Sequence, residues 1–149
     1  MTHGVDTLRF FDGLADEMNG HPERFTPLGE ADMSFVVAMH RPGDEFRVYV
    51  RFEGVTCTGT REVREGGRAP SDFTLEGTKE AWQAMFDDIV AHGRATGPYT
   101  INSLALMGDA VRCTGGDPMG LDKFSRFNQT LQEFFDGAAR RPVAAASGG

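Results

Sequence analysis

The side chains best suited to chemistry in this chain are four histidines, two cysteines and a few serines. No two histidines have the spacing of metal ligands. Cys57 and Cys113 also lack such a spacing, and each lies in a strand-like run, which favours buried free thiols. The sequence therefore predicts neither a metal site nor a cofactor.

Motifs for nucleophilic or acid–base catalysis are not recognisable either. Ser34, Ser103 and Ser125 have no partnered base and no nucleophile-elbow motif around them. A carboxylate that works as a base inside an apolar pocket needs a raised pKa, and the sequence identifies no such residue. The local patterns thus give no support for a specific reaction.

A surplus of bulky apolar side chains is the most informative feature. The helices predicted over Thr78–His92 and Pro118–Phe135 carry more large apolar groups than two helices of a small domain need. Twelve phenylalanines accompany two tyrosines and one tryptophan, and phenylalanine favours fully apolar surroundings because it has no polar group. Core packing explains any single one of these residues. The surplus suggests a wall around a hydrophobic guest.

In the N-terminal half, the patterns predict a helix followed by three strands. Apolar residues recur at three- and four-residue steps over Val5–Asn19, which is typical of an amphipathic helix. Alternation predicts strands over Met33–His40 and Glu45–Glu53, joined by a proline–glycine turn. Val55–Val63 is rich in threonine and β-branched residues and predicts a third strand, whose polar side indicates that one face of the sheet contacts water.

In the C-terminal half, strands alternate with helices. Asp72–Glu76 predicts a fourth strand that leads into the helix Thr78–His92. A fifth strand is predicted over Gly108–Thr114, followed by the helix Pro118–Phe135. Tyr99–Met107 fits a short helix and an extended segment equally. The order predicts an α+β domain in which helices pack on one face of a mainly antiparallel five-stranded sheet.

Length, composition and charge restrict the classes of function. The 149 residues correspond to about one domain, expected over residues 1–137, and the Ala- and Gly-rich residues 138–149 are expected to form a disordered tail. The net charge of −7 disfavours nucleic acid as a partner. The longest purely apolar run, Phe35–Met39, is too short to cross a bilayer, so no stable membrane insertion is expected. Free thiols and the lack of a visible secretory signal favour a cytoplasmic location.

Two segments of the C-terminal half resemble the sterol carrier protein type two family. Phe73-Thr-Leu-Glu-Gly-Thr-Lys-Glu-Ala-Trp-Gln-Ala-Met-Phe86 is similar to that family's step from a strand into a helix, and residues 106–117 are similar to its later strand. One extra glycine near residue 115 and a longer connection over residues 93–103 depart from the pattern. The resemblance implies an apolar tunnel between sheet and helices that binds fatty acyl chains, sterols and similar molecules.

We therefore expect non-catalytic binding or transfer of a hydrophobic small molecule, with the C-terminal helix as a lid. The residues expected to line the cavity are Phe35, Val48, Val50, Trp82, Met85, Phe86, Ile89, Leu104, Met107, Phe124, Phe127 and Leu131.

Two alternatives stay open at this stage. The same pocket could belong to an isomerase, cyclase or hydrolase that acts on a hydrophobic metabolite, with Tyr49, Asp109 or His40 as its polar group. The apolar stripes could instead meet a second subunit in a homodimer.

Overall fold

The computed structural model describes residues 4–64, 70–106 and 110–140. The strands are β1 (Met33–Arg41), β2 (Asp44–Glu53), β3 (Thr56–Glu62), β4 (Phe73–Thr78) and β5 (Val111–Thr114). The α-helices are α1 (Leu8–Gly20), α2 (Lys79–His92), α3 (Ile101–Leu106), α4 (Pro118–Arg126) and α5 (Asn128–Asp136). Short 3-10 turns cover Pro22–Arg24, Thr26–Leu28, Gly97–Tyr99 and Gly137–Arg140.

The five strands form one sheet in the order β3-β2-β1-β4-β5. Three neighbouring pairs are antiparallel, and the central pair of β1 with β4 is parallel. The helices pack on one face of this sheet, so the predicted fold class is confirmed. No helix in the described part of the chain is long and apolar enough to cross a membrane.

The β1–β2 hairpin follows directly from its alternating sequence. Phe35 stands opposite Val50 and Val37 stands opposite Val48, so their side chains share the face that the helices cover. The turn places Gly43 at a φ of 84°, where a residue without a Cβ has no steric cost. The alternating pattern over Glu45–Glu53 thus becomes β2, which pairs with the central strand β1.

The side of the edge strand β3 that was predicted to be polar and in contact with water is not wholly so, because a β-bulge shifts the register of this strand. The register shifts between Arg51 and Phe52, and Thr60 therefore stands opposite the inward-facing Val50. The Thr60 hydroxyl donates a hydrogen bond to Asp12 of α1. This threonine contacts a helix rather than the open face of the sheet.

The predicted helix over Pro118–Phe135 is wrong in one respect, because it is two helices. The chain leaves helical geometry at Phe127, which has φ −108° and ψ 26°. The Asn128 side-chain amide donates to the Phe124 carbonyl at 3.5 Å, and asparagine side chains compete in this way with helical backbone bonds. The break separates α4, which packs beside β4 and β5, from α5, which packs against α1 and α2.

Both ends of the described domain also differ from the prediction. α1 begins later than Val5, because the Thr7 hydroxyl caps it by accepting from the Phe10 N–H at 3.2 Å. The expected tail begins at residue 138, yet Ala138 is buried and Arg140 forms ion pairs with Glu17 and Glu133 at 3.1 Å each. The rest of that tail, residues 141–149, lies outside the described residues. The single-domain organisation stays a prediction.

Gly120 allows α4 to lie against the start of β4. A Cβ on this residue would stand 2.4 Å from the Asp72 carbonyl oxygen, which is closer than any real contact. Lys123, one turn further, pairs with the Asp72 carboxylate at 3.3 Å. The close approach brings Phe124 onto the Phe73 ring, with ring centroids 5.7 Å apart.

Candidate functional site

The predicted lining residues come together in the layer between sheet and helices. All of those described, except Phe127, are buried members of one hydrophobic cluster. Phe127 is half-buried and packs against that cluster. Met107 lies outside the described residues. The structure therefore assembles the predicted set, but it does so as a packed layer of side chains.

Phe35 lies at the centre of this layer. Its ring centroid is 5.4 Å from that of Phe52 and 5.7 Å from that of Phe73, within the normal range for aromatic pairs. From α5, Phe134 and Phe135 approach it at 6.3 and 6.4 Å. These four neighbours were missing from the predicted lining. Two sequence patterns could have indicated some of them. The alternation of β2 points to Phe52, and the helical step from Leu131 points to Phe135.

Trp82 connects α2 to the central strand. Its side chain is fully buried, and its indole N–H donates to the Ala38 carbonyl oxygen at 3.2 Å. Its ring lies 5.6 Å from that of Phe135 and 6.4 Å from that of Phe86. A buried indole needs such a partner for its N–H, so the bond fixes where α2 sits over the sheet.

Methionines supply the adaptable part of the layer. Met33, Met39 and Met85 are buried within the cluster, as is Met18 on α1. An unbranched thioether side chain can change rotamer to fit neighbours of different shape. The layer can therefore repack around a guest at lower cost than a layer built only from β-branched and aromatic residues.

Three hollows lined by described residues lie at the surface, and mainly polar groups line them. Their volumes are about 380, 440 and 370 Å³. One lies at the break between α4 and α5, one at the β1–β2 turn, and one between α1 and β3.

Two of the three polar candidates for catalysis, Tyr49 and His40, do not lie in the apolar layer. Tyr49 is half-buried on the other face of the sheet, where the Arg61 guanidinium lies 4.9 Å from the centre of its ring. His40 is exposed and pairs with Glu45 at 2.9 Å. Asp109 lies outside the described residues. The structure does not bring Tyr49 or His40 to the predicted pocket.

A buried polar network, missed by the sequence analysis, ties α5 to the connection between α2 and α3. The Asp136 carboxylate accepts from the Ala95 N–H at 3.1 Å and from the Gln132 amide at 2.9 Å. Gln132 in turn accepts from the Ile101 N–H at 2.7 Å. Burial raises the pKa of Asp136 to about 6. Its bonds to two N–H groups give this carboxylate a structural role.

The two cysteines are free thiols, as predicted, but only Cys57 is buried and Cys113 is half-buried. Burial raises the pKa of Cys57 and of Cys113 to about 11. Since the thiolate is the reactive form, neither side chain is activated as a nucleophile.

Comparison with solved structures decides which fold this is. The crystal structure of sterol carrier protein 2 matches with a TM-score of 0.70 and 18% sequence identity, over 92% of this chain and 98% of the other. This chain has the sterol carrier protein 2 fold. A second match is the solution structure of a conserved hypothetical protein of Thermus thermophilus, described as a candidate sterol carrier protein. Its TM-score is 0.66 at 17% identity, covering 97% of this chain and 96% of that one.

Sequence comparison alone does not reach this result. No family model matches the chain, and no curated protein matches it. The resemblance in residues 73–86 and 106–117 is nevertheless confirmed at the level of the sterol carrier protein 2 fold. Residues 73–86 form β4 and the first half of α2, which is the predicted step from a strand into a helix.

Proposed function

We propose that this protein binds a hydrophobic small molecule, such as a fatty acyl chain, a sterol or a similar lipid, between its sheet and its helices, and transfers it without chemical change. The observation that carries the proposal is the aromatic and methionine-rich layer inside a sterol carrier protein 2 fold. Sterol carrier protein 2 is named for carrying sterols. A cytoplasmic location is part of the proposal on sequence grounds.

Helix α5 is the element proposed to move when the ligand enters. Phe127 separates it from α4, so α5 can shift without dragging the rest of the C-terminal segment. Its inner side contributes Leu131, Phe134 and Phe135 to the layer. A shift of this helix would open a space beside Phe35 and Trp82, against which these rings now pack.

The hydrophobic effect is large enough to drive such binding. Each methylene buried contributes about 0.8 kcal/mol, so an acyl chain of a dozen methylenes gains roughly 10 kcal/mol before the losses of association. Part of this gain is spent on moving α5 and on the contacts it gives up. After a loss of about 4 kcal/mol on association, roughly 6 kcal/mol remains before the cost of moving α5, which corresponds to a Kd of tens of micromolar, and adaptable methionine side chains keep that cost low.

Trp82 allows a direct test, because it is the chain's single tryptophan and lies in the proposed site. A stearate derivative with bromine atoms on its chain quenches indole fluorescence on contact. We expect saturable quenching by the brominated acid, reversal by plain stearate, and no quenching by plain stearate alone.

A matched variant controls for binding elsewhere. In the double variant Trp82→Phe with Val90→Trp, the indole moves to an exposed position on the same helix, since Val90 is 42% exposed. Its fluorescence should not show the saturable quenching. Equal quenching of both proteins, or no quenching of the natural chain together with an absence of co-purified lipid in native mass spectrometry, would refute the proposal. A dimer on sizing without lipid binding would support the structural alternative.

A further inference from the structure

The face of the sheet opposite the helices carries three arginines around one tyrosine. Arg47 and Arg51 flank Tyr49 on β2, two residues before it and two residues after it, so the three side chains share one side of the strand. Arg61 stands directly opposite Tyr49 on β3, and its guanidinium lies 4.9 Å from the centre of the ring. We refer to these four residues as the arginine cluster.

The acids beside the arginine cluster neutralise it only in part. Like charges at neighbouring positions of a sheet repel one another. Arg51 pairs with Glu53 at 2.9 Å, whereas Arg47 lies 3.3 Å from Glu45, which is long for a pair of charges. Arg61 has no carboxylate within ion-pair distance among the residues that the structure describes. The cluster is therefore locally positive on a chain whose net charge is −7.

Arg47 also has a hydrogen-bond donor without an acceptor. Among the side chains that the structure describes, its Nε is the buried nitrogen that has no hydrogen-bond partner. Arg47 stands between two buried residues, Ala38 on β1 and Val63, whose N–H donates to the Arg47 carbonyl oxygen at 2.9 Å. An unpaired buried donor destabilises a protein, so an acceptor that binds this group removes a penalty as well as forming a bond.

A surface hollow gives such an acceptor room beside Arg47. Its volume is about 440 Å³, and Arg47, His40 and Val63 are among the residues that line it at the β1–β2 turn. The Nη1 of Arg47 contacts Glu45, which leaves the edge formed by Nε and Nη2 for another partner. This edge is the planar fork that binds a carboxylate with two hydrogen bonds. Rotation about the last bonds of this partly exposed side chain would turn the edge into the hollow.

The carboxylates that line the same hollow already have partners. Asp44 pairs with Arg41 at 2.8 Å. Glu45 lies 2.9 Å from His40 and also contacts Arg47. Neither acid therefore presents an unpaired negative charge to a carboxylate that enters the hollow.

The spacing of the cluster fits a short acidic segment of a protein. Arg47 and Arg61 occupy diagonal positions on two paired strands, about 7–8 Å apart, and carboxylates two residues apart in an extended chain are separated by about 7 Å. Tyrosine and arginine are also the side chains that dominate the binding energy of many protein interfaces. A membrane surface or a nucleic acid would extend beyond the cluster and be repelled by the net negative charge of the chain.

From these observations we infer that the arginine cluster binds an extended acidic segment of a partner protein. One carboxylate of the segment takes the Nε–Nη2 edge of Arg47, and another pairs with the Arg61 guanidinium. The inference does not rest on the proposed function, because the cluster lies on the face of the sheet away from the helices.

A fluorescein-labelled peptide of alternating glutamate and threonine tests the inference by fluorescence anisotropy, with glutamine in place of glutamate as its control. The natural protein should bind the acidic peptide at least tenfold more tightly than the control peptide, and added salt should weaken that binding. Arg61→Gln should weaken it about tenfold. Arg47→Lys, which keeps the charge and the stem but lacks the fork, should weaken it about fivefold.

Arg112→Gln is the matched control variant, because it removes the same charge from the same face. Arg112 is exposed on β5, where it pairs in register with Glu76. Three strand spacings separate β5 from β2, roughly 14 Å, which exceeds the Debye length of about 10 Å at 0.1 M salt. Arg112→Gln should change the affinity by less than twofold. An equal loss for Arg61→Gln and Arg112→Gln would reduce the effect to general charge and overturn the inference.

Other occupants of this face give distinct results. Phosphatidylglycerol vesicles that bind the natural protein but not Arg61→Gln, with no binding of the peptide, would make the cluster a membrane contact and overturn the inference. A dimer in sedimentation that Arg61→Gln dissociates, again without peptide binding, would make it a contact between two copies of this chain. Absence of peptide binding overturns the inference in every case, and lipid binding measured on the same sample shows separately whether the proposed function stands.

Discussion

The two faces of the sheet bury residues in different ways. On the inner face, helices cover large side chains such as Phe35, which contacts aromatic rings on several elements. On the outer face, Val36 and Ala38 are also only 2% exposed, although the helices pack on the opposite side. Val36 stands between Tyr49 and Thr74 in the neighbouring strands, and the longer tyrosine side chain can shield it.

Burial alone therefore does not distinguish the proposed ligand site from the rest of this molecule. The inner face is distinguished by the size and adaptability of its side chains and by the helices that could move away from it. Substitutions on the two faces should differ in their effects accordingly.

The largest effect is expected from Phe35→Ala on the inner face. Removing this ring leaves a cavity among its aromatic neighbours, so the free energy of unfolding should fall by about 3–5 kcal/mol. Urea denaturation with an unchanged m-value would measure the loss. A loss below about 1 kcal/mol would mean that the layer is already loosely packed around Phe35.

Asp136→Asn tests how the buried carboxylate among the apolar side chains affects the free energy of unfolding. Because the folded pKa of about 6 lies above the ordinary 3.8, protonation stabilises the fold, and this contribution is lost as pH rises through 6. The asparagine oxygen can still accept from Ala95 and Gln132. The variant should thus be about 2 kcal/mol more stable than the natural chain at pH 8 and equally stable near pH 4.

Thermal or urea unfolding of both proteins between pH 4 and pH 8 provides the measurement. A difference between them that stays constant across this range would show that the carboxylate does not titrate between its unfolded and folded pKa values.

Tyr49→Ala probes the outer face. The substitution removes the ring contact with Arg61 and uncovers Val36, and we expect a loss of about 1 kcal/mol. The same denaturation series used for Phe35→Ala allows direct comparison. A loss as large as that of Phe35→Ala would remove the energetic distinction between the faces.

The smallest effect is expected from Arg51→Ala, further along the same strand. The ion pair between Arg51 and Glu53 is 2.9 Å long, but both side chains are 53% exposed. Pairs in water contribute little, so the free energy of unfolding should change by less than about 0.5 kcal/mol. Repeating the measurement in high salt should shrink the difference further, whereas a larger loss would reveal a role in packing.

Much of the fold was predictable because its strands carry local patterns. Alternation in β1 and β2 and the helical stripe of α2 each depend on residues close in sequence. The predicted lining followed from the same patterns, since inward-facing residues of a strand or helix recur at fixed steps.

The features that escaped prediction depend on contacts between distant segments. Phe124, Phe127 and Leu131 keep the three- and four-residue spacing of a single helix across the break at Phe127. Neither a glycine nor a proline marks that break. The bond from Ala95 to Asp136 joins residues 41 positions apart. The hollow at this break also needs Leu28 and Asn102 from distant segments, so no local pattern in the sequence could indicate it.

The parallel pairing of β1 with β4 has a consequence for how the chain reaches its folded state. Phe35 pairs with Phe73, whereas the β1–β2 and β2–β3 pairs join strands that are adjacent in sequence. Closing a long loop costs entropy before its contacts compensate, so we expect the three-strand meander to form early and β4 to dock in the rate-limiting step. Substitutions at Leu75 in β4 should then slow refolding less than they accelerate unfolding, and those at Val48 should do the opposite.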